Sequence, residues 1–350
     1  MGNNCCKSEI EIEKEILTTE GKINPIEESY SERKKLKNIE KIFNSKKSFN
    51  ELNSNLKKLL SKKFSLIDSN IKFNEISIQK FDDILNKNIY YKRIINNLKE
   101  EINGIYFEED VKYCDILPIE IILSGEKQYY QGSYNSEGKC HGAGIWCKNE
   151  NIYFGNFYND EFSGKGVFID PKGNYYFGDW KHNKCNGSGN LIINGIQSYQ
   201  GDFKDNKKWG KGIENYENAD VYFGHFYHGE KNGNGKYIFS DGSVYEGAFN
   251  NSTINGTGKI KFNDGKKYVG EFKDGEICGK GELFYENGVK FKGEYLMNKK
   301  NGNGEYLWPD GKAFNGNWKN NILEKGIFKD NENKIIESVK FMNGKFSLEK

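Results

Sequence analysis

Long apolar runs are missing from this chain. No stretch of 18 or more apolar residues occurs in its 350 residues, and the mean hydropathy is -0.82. That argues against a membrane-spanning helix, and the absence of an apolar segment behind the start argues against a secretory signal, so a cytosolic chain is expected. Proline is scarce as well, with 4 residues. The seven cysteines (Cys5, Cys6, Cys114, Cys140, Cys147, Cys185, Cys278) are odd in number and hold no C-x-x-C pair. Neither a disulfide framework nor a zinc site is implied, and reduced thiols are expected. Charge of one sign is lacking too: 52 Lys+Arg stand against 50 Asp+Glu. A net +2 argues against nucleic-acid binding through the overall field.

Glycine and tryptophan are nearly absent from the first third. Only Gly2, Gly21, Gly104 and Gly125 precede residue 130, whereas all five tryptophans follow it. Residues 1–128 instead run in charge blocks: net -6 over 8–32, net +9 over 33–63 and net -4 over 64–128. In the basic block the apolar residues Leu36, Ile39, Ile42, Phe43, Phe49, Leu52, Leu56, Leu59 and Leu60 fall at helical spacing. Phe81, Ile84, Leu85, Tyr91, Ile94, Ile95, Leu98 and Ile102 form a second stripe, predicting a helix over about 79–103 that ends near Gly104. Ile116–Leu123 reads as a strand. The predicted organisation is therefore a disordered tail over 1–32, a helical region over 33–128, a repeat array over 129–336 and a closing strand or tail over 337–350.

The array is a 23-residue repeat. An aromatic, a glycine two residues later and an aromatic two residues after that recur from Tyr130, Tyr153, Tyr176, Tyr199, Tyr222, Tyr245, Tyr268, Phe291 and Phe314. Repeats two to eight add a Gly-x-Gly eleven residues after the start, such as Gly233/Gly235. Counting the starting aromatic as offset 0, offsets 0, 2 and 4 share one side of a strand. Tyr237, Phe239, Ile260, Phe262, Leu283, Tyr285, Tyr306 and Trp308 continue that parity on the returning strand, while Lys259, Lys261, Lys280 and Glu282 alternate with them. One face is predicted apolar and the other wet, as in an antiparallel sheet. Asp241-Gly242, Asp264-Gly265, Asn287-Gly288 and Asp310-Gly311 are hairpin-turn dipeptides. Nine hairpins predict about 18 strands and, at ~4.8 Å per strand, a ribbon of roughly 85 Å. The fold class is mainly β: an elongated single antiparallel sheet of hairpins behind a helical, partly disordered N-terminal region.

The units Tyr268-Val-Gly-Glu-Phe-Lys-Asp-Gly-Glu-Ile-Cys-Gly-Lys-Gly-Glu and Tyr222-Phe-Gly-His-Phe-Tyr-His-Gly-Glu-Lys-Asn-Gly-Asn-Gly-Lys resemble the MORN repeat (membrane occupation and recognition nexus). The resemblance spans residues 130 to about 336 in nine units. It implies a scaffold, dimerisation surface or lipid-associated module, as in junctophilins, plant phosphoinositide kinases, ciliary radial-spoke proteins and protist cytoskeletal scaffolds. Fold alone does not choose among these. Asn183, Asn206 and Ser252 stand where a glycine usually follows the second aromatic, predicting different first turns there.

The start Met1-Gly2-Asn3-Asn4-Cys5-Cys6 resembles an N-myristoylation signal with two cysteines placed for palmitate, although Cys6 stands where Ser or Thr is usual. One myristoyl chain binds a bilayer at only about 10⁴ M⁻¹, so a second signal matters. Arg33, Lys34, Lys35, Lys37, Lys41, Lys46, Lys47, Lys57, Lys58, Lys62 and Lys63 supply attraction to anionic lipid headgroups. The Gly-x-Gly pairs open strands and lack the P-loop Lys-Ser/Thr, so they are not nucleotide loops. His141, His182, His225 and His228 share no repeat offset, arguing against a metal site. No residue set resembles a catalytic triad, and neither a cofactor nor a small-molecule substrate is implied. The expectation is a non-enzymatic scaffold at the cytoplasmic face of a plasma or ciliary membrane, or at the cell cortex; the alternative is a structural part of a cilium or the cytoskeleton. The rings Tyr176, Trp180, Tyr199, Phe203, Tyr222, Phe226, Tyr245, Phe249, Tyr268 and Phe272 are the expected docking surface for a protein partner, a second copy or the chain's own helix 79–103.

Overall fold

The computed structural model describes residues 72–75, 78–97, 119–123, 126–342 and 345–349. The chain divides into Met1–Lys47, which lies outside those residues, and Ser48–Lys350, which holds every described element. The acylation positions Gly2, Cys5 and Cys6 and the basic segment 33–63 therefore lie outside the described residues.

The fold is mainly β: among the described residues, 22 strands form a single elongated antiparallel sheet. Its register follows from the repeat. Val221–Tyr227 pairs with Glu230–Ile238 so that Tyr222 faces Tyr237 and Gly224 faces Gly235; the next strand brings Tyr245 against Tyr237 and Gly247 against Gly235. Glycine rows and ring rows thus cross the sheet in line. Between Gly224 and Phe226 the register shifts, with Phe226 opposite Lys231. The shift places a bulge around Gly233, whose φ of 86° a side chain rarely adopts. Two strands precede the repeats: Lys72–Glu75 pairs with Ile119–Leu123, which pairs with Glu126–Tyr134. The strand expected over 116–123 is described over Ile119–Leu123, whereas Lys72–Glu75, inside the region read as helical, was not foreseen. Ile335–Met342 and Lys345–Glu349 extend the other end.

The first turns at Asn183, Asn206 and Ser252 do not differ from the others. His182/Asn183, Asp205/Asn206 and Asn251/Ser252 are left-handed at both positions, like His228/Gly229 and Asp274/Gly275. A side-chain acceptor explains why a non-glycine residue serves. In each turn this residue donates its N–H to the preceding repeat, Asn206 to the Cys185 carbonyl at 3.0 Å and Gly229 to that of Lys208 at 2.9 Å. Asn206 Oδ1 additionally accepts the Cys185 N–H at 2.7 Å, as Asn183 Oδ1 does from Phe162 and Ser252 Oγ from Lys231. The second turn at 239–243 and its counterparts at 170–174, 216–220, 262–266, 285–289 and 308–312 are three-residue loops: Phe239 N–H donates to the Ser243 carbonyl, Gly242 N–H to that of Phe239, and Gly242 has a φ of 86°, whereas the turns at Asn149/Glu150 and Asn194/Gly195 have two left-handed residues.

In place of the single helix expected over about 79–103, the described residues hold two, Ile78–Leu85 and Tyr91–Asn97, and 98–103 lie outside them. The break falls at Asn88, which is 2% exposed. Its Nδ2 donates to the carbonyls of Glu150 and Asp170, both at 3.0 Å, and its Oδ1 accepts the Tyr90 N–H. An amide that holds two hairpin turns of the sheet is satisfied only where the helix stops. Ile94 packs on Val167 and Ile169, with Tyr90, Tyr91, Tyr175 and Phe177 around them. These residues alternate with Tyr176 and Phe168, so they occupy the face opposite the repeat tyrosines. The expectation that this helical segment covers the ring face is corrected: it covers the other one.

Candidate partner-docking face

The ring face is built on close contact between tyrosine and glycine. An added Cβ on Gly212 would lie 2.5 Å from Tyr199 Cε2 and Oη, and one on Gly201 would lie 2.6 Å from the backbone of Gly212. Each repeat tyrosine therefore lies flat over its own glycine and the one across the strand. Its hydroxyl donates to the carbonyl three residues on: Tyr199 to Asp202 at 3.0 Å, Tyr245 to Ala248 at 3.0 Å. Burial pushes the Tyr245 phenol up to about 12, against the smaller opposing pull of the Ala248 backbone. The offset-4 aromatics stand on edge between these rings. Tyr199 meets Phe203 at 5.1 Å and Phe226 at 4.9 Å, both edge-to-face, and Tyr222 repeats the geometry with Phe226 and Phe249.

This ladder buries its own members. Tyr176, Trp180, Tyr199, Phe203, Tyr222, Phe226, Tyr245, Phe249, Tyr268 and Phe272 are all at most 8% exposed. They are the floor of the face and not its accessible surface, which corrects the expectation that a partner touches them. What solvent reaches is the half-buried row above them, including Tyr237, Phe239, Ile260, Phe262, Leu283 and Tyr285.

Polar side chains interrupt that row. At offset 9, where other repeats carry Phe162, Cys185, Ile254, Ile277 and Leu323, three repeats carry Lys208, Lys231 and Lys300. Glu214 replaces the apolar residue at offset 15, is 5% exposed, pairs with Lys208 and accepts the Tyr216 hydroxyl. Lys231 holds its ammonium 4.9 Å above the Tyr216 ring, 5.5 Å from Tyr222 and 5.6 Å from Tyr237. Burial draws its pKa down, partly offset by Glu214. Lys300 lies 4.9 Å from both the Phe291 and Tyr306 rings and donates to the hydroxyls of Tyr306 at 2.5 Å and Tyr285 at 3.3 Å. Asp220 accepts the Tyr237 hydroxyl and the Ser240 N–H, each at 2.7 Å. The sequence reading missed this set, although the change of residue type at offsets 9 and 15 marks it.

The opposite face of the later repeats is wet. Glu246 bridges Lys259 at 2.6 Å and Lys236 at 3.4 Å, and Lys292 pairs with Glu282 at 3.1 Å. Burial holds the thiols of Cys147 and Cys185 up at about 11 and about 12. Among the described residues no group of three or more His, Cys, Asp or Glu is placed to hold a metal ion, and none of the described helices is long and apolar enough to cross a membrane.

The MORN-repeat profile matches seven stretches: 153–175, 176–192, 199–221, 222–244, 245–267, 268–290 and 291–313. No curated protein matches the chain. Among solved structures it is similar to the TCP domain of SAS-4 from Drosophila melanogaster in complex with a proline-rich motif, at 15% identity over 43% of this chain and 81% of that one, TM-score 0.29. It is also similar to the wild-type TCP10 domain of Danio rerio CPAP, at 12% identity over 64% and 96%, TM-score 0.21, and to a point mutant of that domain, at 13% over 64% and 95%, TM-score 0.25.

Proposed function

Because residues 153–313 are an array of MORN repeats, a non-catalytic fold whose general role is protein interaction and scaffolding, we propose that this chain is a membrane-tethered scaffold that docks a partner on its ring face. The observation that carries the docking is the contrast between faces: the two described helices lie on one, and among the described residues no element covers the half-buried apolar row on the other. Two further hairpins, from Tyr130 and from Phe314, continue the same ring and glycine pairing and bring the proposed count to nine repeats. The tether is proposed from sequence: Gly2 for myristate, Cys5 and Cys6 for palmitate, and the net +9 of residues 33–63 for anionic lipid.

The two halves are tested separately. Wild type is expected to float with membranes from its native cells and Gly2→Ala to remain behind; equal flotation defeats the tether. For the ring face, Ile260→Arg with Leu283→Arg should remove the partners labelled by proximity in those cells, while Glu282→Arg on the wet face leaves them. Loss with all three, or with none, defeats the docking.

A further inference from the structure

An apolar row with ammonium groups in it is selective about what may cover it. Among the described residues neither Lys231 nor Lys300 has a carboxylate within ion-pair distance; the Lys231 ammonium meets rings, and that of Lys300 meets rings and phenol hydroxyls. Lys208 differs, because Glu214 already neutralises it. A purely apolar partner laid over the row would strip water from two charges without replacing it, which is costly. A partner with carboxylates in the right places would convert both into charge-assisted hydrogen bonds.

The row also limits the partner's backbone. It runs across the strands, so an extended peptide following it would lie at right angles to them and could not pair with the sheet. A helix satisfies its own amides and needs nothing from the surface. Lys231 and Lys300 occupy the same offset three repeats apart, which is six strands or roughly 29 Å. Five helical turns, 18 residues, cover about 27 Å and return a side chain to the same side.

Resting on the docking reading above, we propose that the occupant is an amphipathic helix of a partner protein whose apolar stripe carries two carboxylates about five turns apart, one for Lys231 and one for Lys300. The apolar stripe supplies area, and the carboxylates set register and reject helices that lack them.

The probe is a labelled synthetic helix of about 24 residues with a leucine stripe and two glutamates 18 residues apart, compared with its glutamine counterpart on the full-length protein. The glutamate peptide should bind about tenfold tighter or better. Lys231→Met should shrink that preference and Lys231→Met with Lys300→Met should abolish it, while Lys292→Met on the wet face leaves it intact. Lys231→Glu should in turn prefer a peptide with lysine at the matching position, which guards against a variant that merely misfolds. Equal binding of both peptides to wild type overturns the carboxylate requirement alone. Binding of neither overturns the docking reading and this proposal with it. A dimer in sedimentation that Ile260→Arg dissolves would mean that a second copy occupies the face, and the proposal fails.

Discussion

The early repeats, about 130–193, and the later ones, about 222–308, share one face and differ over much of the other. On the shared face Tyr153 and Tyr245 are equally buried, at 0% exposure each. On the second face the early repeats place Ile145, Ile152, Val167 and Ile169, all at most 3% exposed, where the later ones place Lys236, Glu246, Lys259 and Lys292. The hairpin is thus held by its tyrosine and glycine rows, and its other side is free to vary. A helix pair sits where that side is apolar, and water covers it where it is charged.

The largest effect should come from removing the cover. Phe81→Ala, at a side chain 1% exposed, is expected to cost about 3–5 kcal/mol. Because repeats depend mainly on their neighbours, hydrogen exchange should show protection lost in the early repeats and kept beyond residue 222. Uniform loss would dissolve the distinction. The shared face should be indifferent to region: Gly155→Ala, whose Cβ would lie 2.6 Å from Tyr153 Oη, and Gly258→Ala, 2.5 Å from Tyr245 Oη, should each cost about 1–3 kcal/mol in denaturant melts. Unequal costs would mean that the helix pair alters the ring face after all.

Alkaline pH probes the same rings one at a time. Below pH ~10 Tyr245 is neutral whether folded or not. Between there and its folded value of about 12 only the unfolded chain gives up the proton, so stability falls as pH rises. Tyr245→Phe should remove one proton from that slope, about 1.4 kcal/mol per pH unit, and Phe291 and Phe314 show that phenylalanine is accommodated at this offset. An unchanged slope would place the titration elsewhere. The smallest effect belongs to the wet face: Glu246→Ala, at a part-exposed pair of bridges, should shift stability by less than about 1 kcal/mol.

Much of this was legible before the structure. The 23-residue period, the shared side of offsets 0 and 4 and the half-wet sheet follow from a side-chain period of two. The second face of the early repeats was legible too but went unread. Ile152-Tyr153-Phe154, Val167-Phe168-Ile169 and Tyr175-Tyr176-Phe177 are continuous apolar runs, the mark of a strand buried on both sides. The five residues between Leu85 and Tyr91 that interrupt the helical stripe likewise announced the break at Asn88. The burial of the offset-4 rings was harder to read, because it depends on rings of adjacent repeats meeting edge to face, a matter of packing and not of pattern. Glu214 and the lysines of offset 9 looked like ordinary surface charges until the register placed them among rings.

The turn of each hairpin reaches back. From Asp160 to Asn321, the residue that closes the first turn of one unit donates its N–H to the hairpin before it and never to the one after. Such a chain of clasps has a direction, as roof tiles do, although each clasp needs both of its units and is lost whichever of them is removed. The direction shows in what a cut leaves behind: an array shortened from the C-terminal side ends on a bare carbonyl, and one shortened from the N-terminal side begins with a bare N–H.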